Sequence, residues 1–204
     1  GEAALGLHAA HELADAAGRP LGLVHRDISP ENILFNSAGD IKIGDFGIAK
    51  TLRMPDITPP DVVKGKFNYM SPEQAWADRL DRRSDIFSLA VVLYEATTGK
   101  SFYPVDDIET CIACARMAIH EHPSTVVTDY PADLEQVLSR ALDVDRNRRY
   151  PTAFDFKLAL EGCAVAHGWH VSREDWKAYL RENVAFPDSP LPLLHAGEVN
   201  RDRT

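Results

Sequence analysis

Asp27 stands in the run His25-Arg26-Asp27-Ile28-Ser29-Pro30-Glu31-Asn32, and two further short groups follow it, Asp45-Phe46-Gly47 and Ser71-Pro72-Glu73. Carboxylate and amide oxygens are donors that magnesium accepts, and a carboxylate beside a hydroxyl can take its proton. Phosphoryl transfer asks for both capacities, together with a platform that positions the acceptor. Any one of these short groups is a weak signal; three in this order are a strong one.

The elements that must hold these residues are legible from periodicity. Residues 2–17 read as a helix with Leu5, Ala9, Leu13 and Ala16 on one face, stopped by Gly18 and Pro20. Ile33-Leu34-Phe35 and Ile41-Lys42-Ile43 read as short strands joined by the turn-rich Asn36-Ser37-Ala38-Gly39-Asp40. Such a hairpin holds Asn32 and Asp45 at its two open ends, which brings both near one metal. Residues 48–70 carry Pro55, Pro59, Pro60 and Gly65 and read as a long irregular loop of the kind that is usually functional or mobile. A helix over about 85–98, capped by Ser84 or Asp81, is apolar nearly all round and belongs mid-core. Further helices are expected over 108–119, 132–142 and 152–166. Ser172 with Asp175 forms a capping box for a last helix carrying Trp176, Tyr179 and Leu180. The order gives an α+β fold, predominantly helical, with a short β-hairpin at the Asp27 loop.

Composition narrows the class. The 204 residues carry a formal net charge of −9, with 45% hydrophobic and 26% charged residues. An acidic chain argues against nucleic acid or an anionic membrane as the main partner. No apolar run approaches the ~20 residues that span a bilayer, and no basic segment followed by an apolar core opens the chain. Three cysteines fit a reducing cytoplasm. Cys111 and Cys114 form a C-x-x-C with no second pair at ligand spacing, so a buried helix face is the expectation. His8, His11, His120 and His122 are expected in surface or packing roles.

The three groups together resemble the catalytic half, the C-terminal lobe, of a protein kinase; Tyr69-Met-Ser-Pro-Glu-Gln74 is similar to bacterial serine/threonine kinases. The resemblance covers residues 1–162, with 163–204 as a C-terminal extension that packs its aromatics, docks a partner or begins a linker. It implies ATP and Mg2+ as cofactors and a protein substrate. Asp27 would receive or orient the substrate hydroxyl proton, Asn32 and Asp45 would bind magnesium, and Leu34 would floor the adenine. His25, Phe46 and Gly47 would shape the loops. Glu73 would pair with Arg149, and Asp85 would anchor the His-Arg-Asp backbone, both as scaffold. Glu31 matches a position that can attract a basic substrate residue. Arg26 would hold a phosphate on Thr51 or Thr58, or else pair with a carboxylate and no phosphorylation occurs.

Two departures stand out. The family's lysine two places after the catalytic aspartate is Ser29 here, and its threonine after Gly65 is Lys66. Lys66 reaching back to Asp27, with Ser29 as its partner, would restore the positive charge; a degraded site is the rival reading. No Gly-x-Gly-x-x-Gly loop, strand lysine or partner glutamate occurs in the sequence. The expectation is a fragment of a longer kinase, or a gene truncated at its start, that lacks its N-lobe and turns over negligibly alone. A kinase-like scaffold without catalysis is the second reading. A small-molecule kinase is the third, disfavoured by the Ser-Pro-Glu segment and Asp85.

Overall fold

In the computed structural model, residues 1–46, 67–103 and 107–184 are described. Gly47, Thr51, Thr58 and Lys66 therefore lie outside the described residues. The chain divides into two compact units, one formed by Gly1–Phe35 with Ile41–His170, the other by Asn36–Asp40 with the residues from Val171.

In the first unit α1 spans Glu2–His11, strands β1 (Ile33–Phe35) and β2 (Ile41–Ile43) pair antiparallel, and α2 covers Pro72–Ala75. Then follow α3 (Arg82–Thr98), α4 (Ile108–Met117), α5 (Pro123–Val126), α6 (Ala132–Ala141) and α7 (Ala153–Ala166). Helix α3 is the axis of the core. Ile86, Phe87, Leu89, Ala90, Val91 and Tyr94 are buried on it, and it touches α1, α5, α6 and α7. Phe102 meets Phe87 and Tyr94 edge to face, at 6.0 and 5.2 Å between ring centres, a favourable geometry for aromatic quadrupoles. Asp81, not Ser84, caps α3: its carboxylate accepts from the Arg83 amide at 2.9 Å. Gly99 closes the helix at φ 67°, left-handed territory that glycine enters without a Cβ penalty.

Helix α1 ends at His11, short of the expected residue 17. Asp15 is the reason: its carboxylate accepts the amides of Ala17 and Arg19 at 2.8 and 3.0 Å. Side-chain bonding of this kind competes with the helical ladder. The chain instead doubles back, with Leu21 N–H donating to Leu13 carbonyl.

The second unit holds α8 (Arg173–Asn183), opened by a capping box in which the Ser172 hydroxyl accepts from Asp175 N–H and the Asp175 carboxylate accepts from Ser172 N–H. Arg173 pairs with Asp40, and Trp176 stacks on Tyr179 at 5.7 Å. The Asn36 side-chain oxygen accepts the amides of Ala38 and Asp40, which makes the tight turn.

Candidate active site

Asp85 lies one turn into α3, and its buried carboxylate organises the loop that carries Asp27. Oδ2 accepts the His25 amide at 2.7 Å and Oδ1 accepts the Arg26 amide at 2.8 Å. Oδ2 also takes Nε2 of His11 at 2.8 Å, across 74 residues of sequence. Three donors satisfy a charge that burial would otherwise make costly. His11 was expected in a surface or packing role; it is buried and belongs to this anchor. Only its separation from Asp85 hid it, because no local pattern links the two.

Arg26 is held from both sides. Its carbonyl accepts Nε2 of Gln74 at 2.9 Å, and its φ is 67°. A non-glycine residue in the left-handed region costs energy and persists where the surroundings over-determine it. Gln74 is itself fixed by the α2 capping box with Ser71. The Ser-Pro-Glu-Gln segment thus grips the Asp27 loop directly, a contact the sequence did not announce.

The histidine ring sets the distance between the two acidic groups' loops. Asp27 N–H donates to His25 Nδ1 at 3.3 Å, so Nε2 carries the proton and donates to the Gly44 carbonyl at 2.8 Å. The ring also lies against Phe46, with centroids 4.5 Å apart. One neutral tautomer therefore ties the Asp27 loop to the Asp45-Phe46 stretch.

Asn32 completes the circuit. Its Nδ2 donates to the Asp27 carbonyl at 2.7 Å and reaches the Asp27 carboxylate at 3.4 Å. Its own carbonyl accepts the Gly44 amide at 2.9 Å. The register pairs Ile33 with Ile43, so Asn32 and Gly44 continue the ladder and Asp45 follows immediately. Asp45 is exposed and also left-handed, at φ 51°. Asp27, Asn32 and Asp45 are thus brought to one end of the hairpin. With the amide nitrogen of Asn32 occupied, its oxygen is the atom left to coordinate. Amide and carboxylate oxygens are the hard donors that magnesium prefers, so the set fits that ion. Leu34 is 53% exposed beside Gly44, where a Cβ would lie 2.8 Å from Leu34 Cδ1. The Ser29 hydroxyl is buried and donates to Glu31 at 3.2 Å.

Below the loops sits the scaffold pair. Arg149 Nη1 and Nη2 hold the two Glu73 oxygens at 2.7 and 2.8 Å, and the Ser84 hydroxyl adds a bond of 2.6 Å. Burial would raise the Glu73 pKa, but the Arg149 guanidinium and Ser84 outweigh it and hold the carboxyl below its usual range. Arg149 also donates to the carbonyls of Asp143, Arg83 and Val144, which spends its remaining donors. Cys111 is buried on α4 and bonded weakly to Asn68, as a packing residue is, and the described residues hold no group of three or more His, Cys, Asp or Glu side chains placed to hold a metal ion.

A protein kinase domain family model matches residues 7–157. The chain is 45% identical over 167 residues to the tyrosine-protein kinase MasK of Myxococcus xanthus, covering 81% of this chain and 26% of that protein. It is 37% identical over 142 residues to the probable serine/threonine-protein kinase PknB of Bifidobacterium longum, covering 67% and 20%. With the serine/threonine-protein kinase PknL of Mycobacterium tuberculosis it shares 35% over 150 residues, covering 73% and 37%. The chain thus spans between 20 and 37% of the length of these relatives.

Proposed function

The chain belongs to the protein kinase family, and from that footing we propose that it contributes the substrate-side half of a site moving the ATP γ-phosphoryl group onto serine or threonine of a protein. Asp27 receives or orients the proton of the attacking hydroxyl. Asn32 and Asp45 hold Mg2+, which, when bound, neutralises charge on the phosphates. Leu34 lies under the adenine. Arg26, reaching a phosphate on Thr51 or Thr58, or a carboxylate in its place, would set the loop's state. Lys66 beside Asp27 and Ser29 would supply the cation that the catalytic loop lacks.

The observation that supports this reading is the hydrogen-bonded circuit from Asp27 through Asn32 to Gly44, which gathers Asp27, Asn32 and the start of the Asp45 stretch at one hairpin end. Serine or threonine as acceptor rests on the catalytic loop, which lacks the tyrosine-kinase pattern. The relatives' names divide on this point, since MasK is named a tyrosine kinase. No glycine-rich phosphate loop or strand lysine occurs among the 204 residues, so turnover is proposed to need an N-lobe as partner. A reducing, cytoplasmic setting fits the free cysteines. No helix among the described residues is long and apolar enough to cross a membrane.

The test is transfer of labelled phosphate from ATP to a generic protein substrate, by the chain alone and by the chain preceded by a PknB-type N-lobe. Label on serine and threonine from the fusion, lost in Asp27→Asn by about 10²-fold or more, is the expected result. Transfer that survives Asp27→Asn would remove that residue's role. A well-folded fusion with no transfer would favour the scaffold reading, and label on tyrosine would overturn the acceptor assignment.

A further inference from the structure

Four arginines, Arg79, Arg82, Arg83 and Arg146, line one cavity of about 550 Å3 beneath the stretch that leads into the catalytic loop. Asp81 is the one acidic residue in that lining, and residues 22–24 close the other side. Such a concentration of cations is unexpected in a chain of net charge −9. Its volume lies within the range of ligand pockets.

The partners of these guanidinium groups say what the cavity lacks. Arg83 has four of its five donors engaged: it grips Asp81 through two nitrogens and donates to the Arg146 carbonyl and Asn147. Arg82 pairs with Glu12, and Arg146 meets Asp78 at 3.3 Å and the Arg79 carbonyl. Arg79 has no acidic partner among the described residues, and its side chain is exposed. Each guanidinium carries five N–H donors, so Arg82 and Arg146 keep donors to spare and Arg79 keeps all of its own.

A second cavity of about 260 Å3 shares Arg146 and Asn147 as a common wall and runs on to Trp76. That indole is 59% exposed, with the Arg116 guanidinium 4.6 Å from its ring centre. The two cavities adjoin across Arg146 and Asn147; the second also carries Glu73, Asp78 and Asp145, of which Glu73 is held by Arg149 and Asp78 by Arg146.

We propose that these adjoining cavities dock a phosphorylated segment of another protein, with the phosphoryl group among Arg79, Arg82 and Arg146 in the first and an apolar side chain on Trp76 at the second. A carboxylate would add little, because Glu12 and Asp78 already serve two of those arginines. A phosphate carries a charge near −2 with three acceptor oxygens and can recruit the idle donors at once. The acidic character of the chain disfavours nucleic acid and anionic membranes as occupants. The exposed indole calls for a peptide in preference to a free anion. Binding here does not depend on turnover, so it stands whether or not the chain transfers phosphate.

Fluorescence anisotropy of the chain with a short labelled peptide carrying one phosphoserine and a nearby leucine tests this. Saturable binding is expected, weaker by at least about tenfold for the serine and aspartate versions and for Arg79→Ala. Arg79 makes no side-chain bond among the described residues, so that variant keeps the fold; near-ultraviolet circular dichroism checks it. Trp76→Ala is expected to weaken the leucine peptide and not a leucine-free one. Equal binding of the serine version, or unchanged binding by Arg79→Ala, would overturn the proposal. Inorganic phosphate displacing the label as effectively as unlabelled phosphopeptide would overturn the assignment of a protein ligand.

Discussion

Arg149 and Glu73 show what a single buried charge does in this lobe. Removing the guanidinium as Arg149→Met leaves the Glu73 carboxylate buried without its ion-pair partner, which should cost about 3–5 kcal/mol in urea unfolding. Adding Glu73→Gln to that variant should recover part of the loss, because the uncompensated charge is gone. The pH behaviour follows from the direction of the shift. The folded-state pKa of Glu73 is depressed, so its contribution is present above the ordinary carboxylate range and is lost as pH falls through the depressed value. Stability of the parent should decline through that acid window, and Glu73→Gln should decline less steeply there. His11 makes a parallel case. His11→Leu removes one of three donors to the Asp85 charge, and a hydrogen bond to a charged group is worth about 1.5–3 kcal/mol. Unfolding curves should show that loss, while circular dichroism shows the helices intact.

Elements owe their ends to local chemistry, and there the sequence reads well in some places and poorly in others. Gly99 sits at φ 67° with nothing within 4 Å of where a Cβ would stand. Gly99→Ala should therefore cost about 1–2 kcal/mol from backbone conformation alone, with no clash, measured as a lowered unfolding midpoint. Ser172→Ala removes the α8 cap and should cost about 1 kcal/mol, seen as faster amide exchange in the first turn of α8. Both features were legible, since a Gly after an apolar run and a Ser-x-x-Asp group declare themselves within four residues. The hairpin was legible for the same reason: two short triplets rich in isoleucine and other apolar residues flank a turn-forming pentapeptide, and its strands fall where the pattern puts them. The end of α1 was not legible, because Asp15 acts by folding its side chain onto amides two and four residues ahead, which apolar periodicity does not register. Helices α2 and α5, four residues each, are too short for periodicity to detect. At the candidate site the acidic and amide groups could be named from their motifs. The fastening of Arg26 by Gln74, and of Asp85 by His11, could not, because those contacts are made by packing across 48 and 74 residues.

Across the whole molecule, two tyrosines fasten the segment that precedes α2 to the core. The Tyr69 hydroxyl donates to Glu95 on α3 at 2.7 Å, and Tyr103 donates to the Met70 carbonyl at 3.1 Å. Burial raises the pKa of both, with Glu95 adding to the effect at Tyr69. Burial likewise pushes the Cys111 thiol up to about 11, beside the same segment. All three groups are neutral in the folded state and would ionise more readily once unfolded. Their contribution is intact below the ordinary values, 9.0 for the thiol and 10.0 for the tyrosines, and is lost as pH climbs from there towards the raised folded values. The fold should thus resist alkali until about the ordinary tyrosine range and then open cooperatively. Tyrosinate absorbance, helical circular dichroism and reaction of Cys111 with a disulfide reagent, followed in Cys114→Ser/Cys163→Ser, should share one midpoint. Replacing Tyr103 with Phe removes one titrating hydroxyl and its bond to Met70, so its midpoint should move to higher pH even as its neutral-pH stability falls by about 1 kcal/mol. A tyrosinate signal that rises well before the helices melt would show that these hydroxyls are reached by solvent in the folded chain, and the fastening of residues 69–70 to α3 would then be looser than their hydrogen bonds imply.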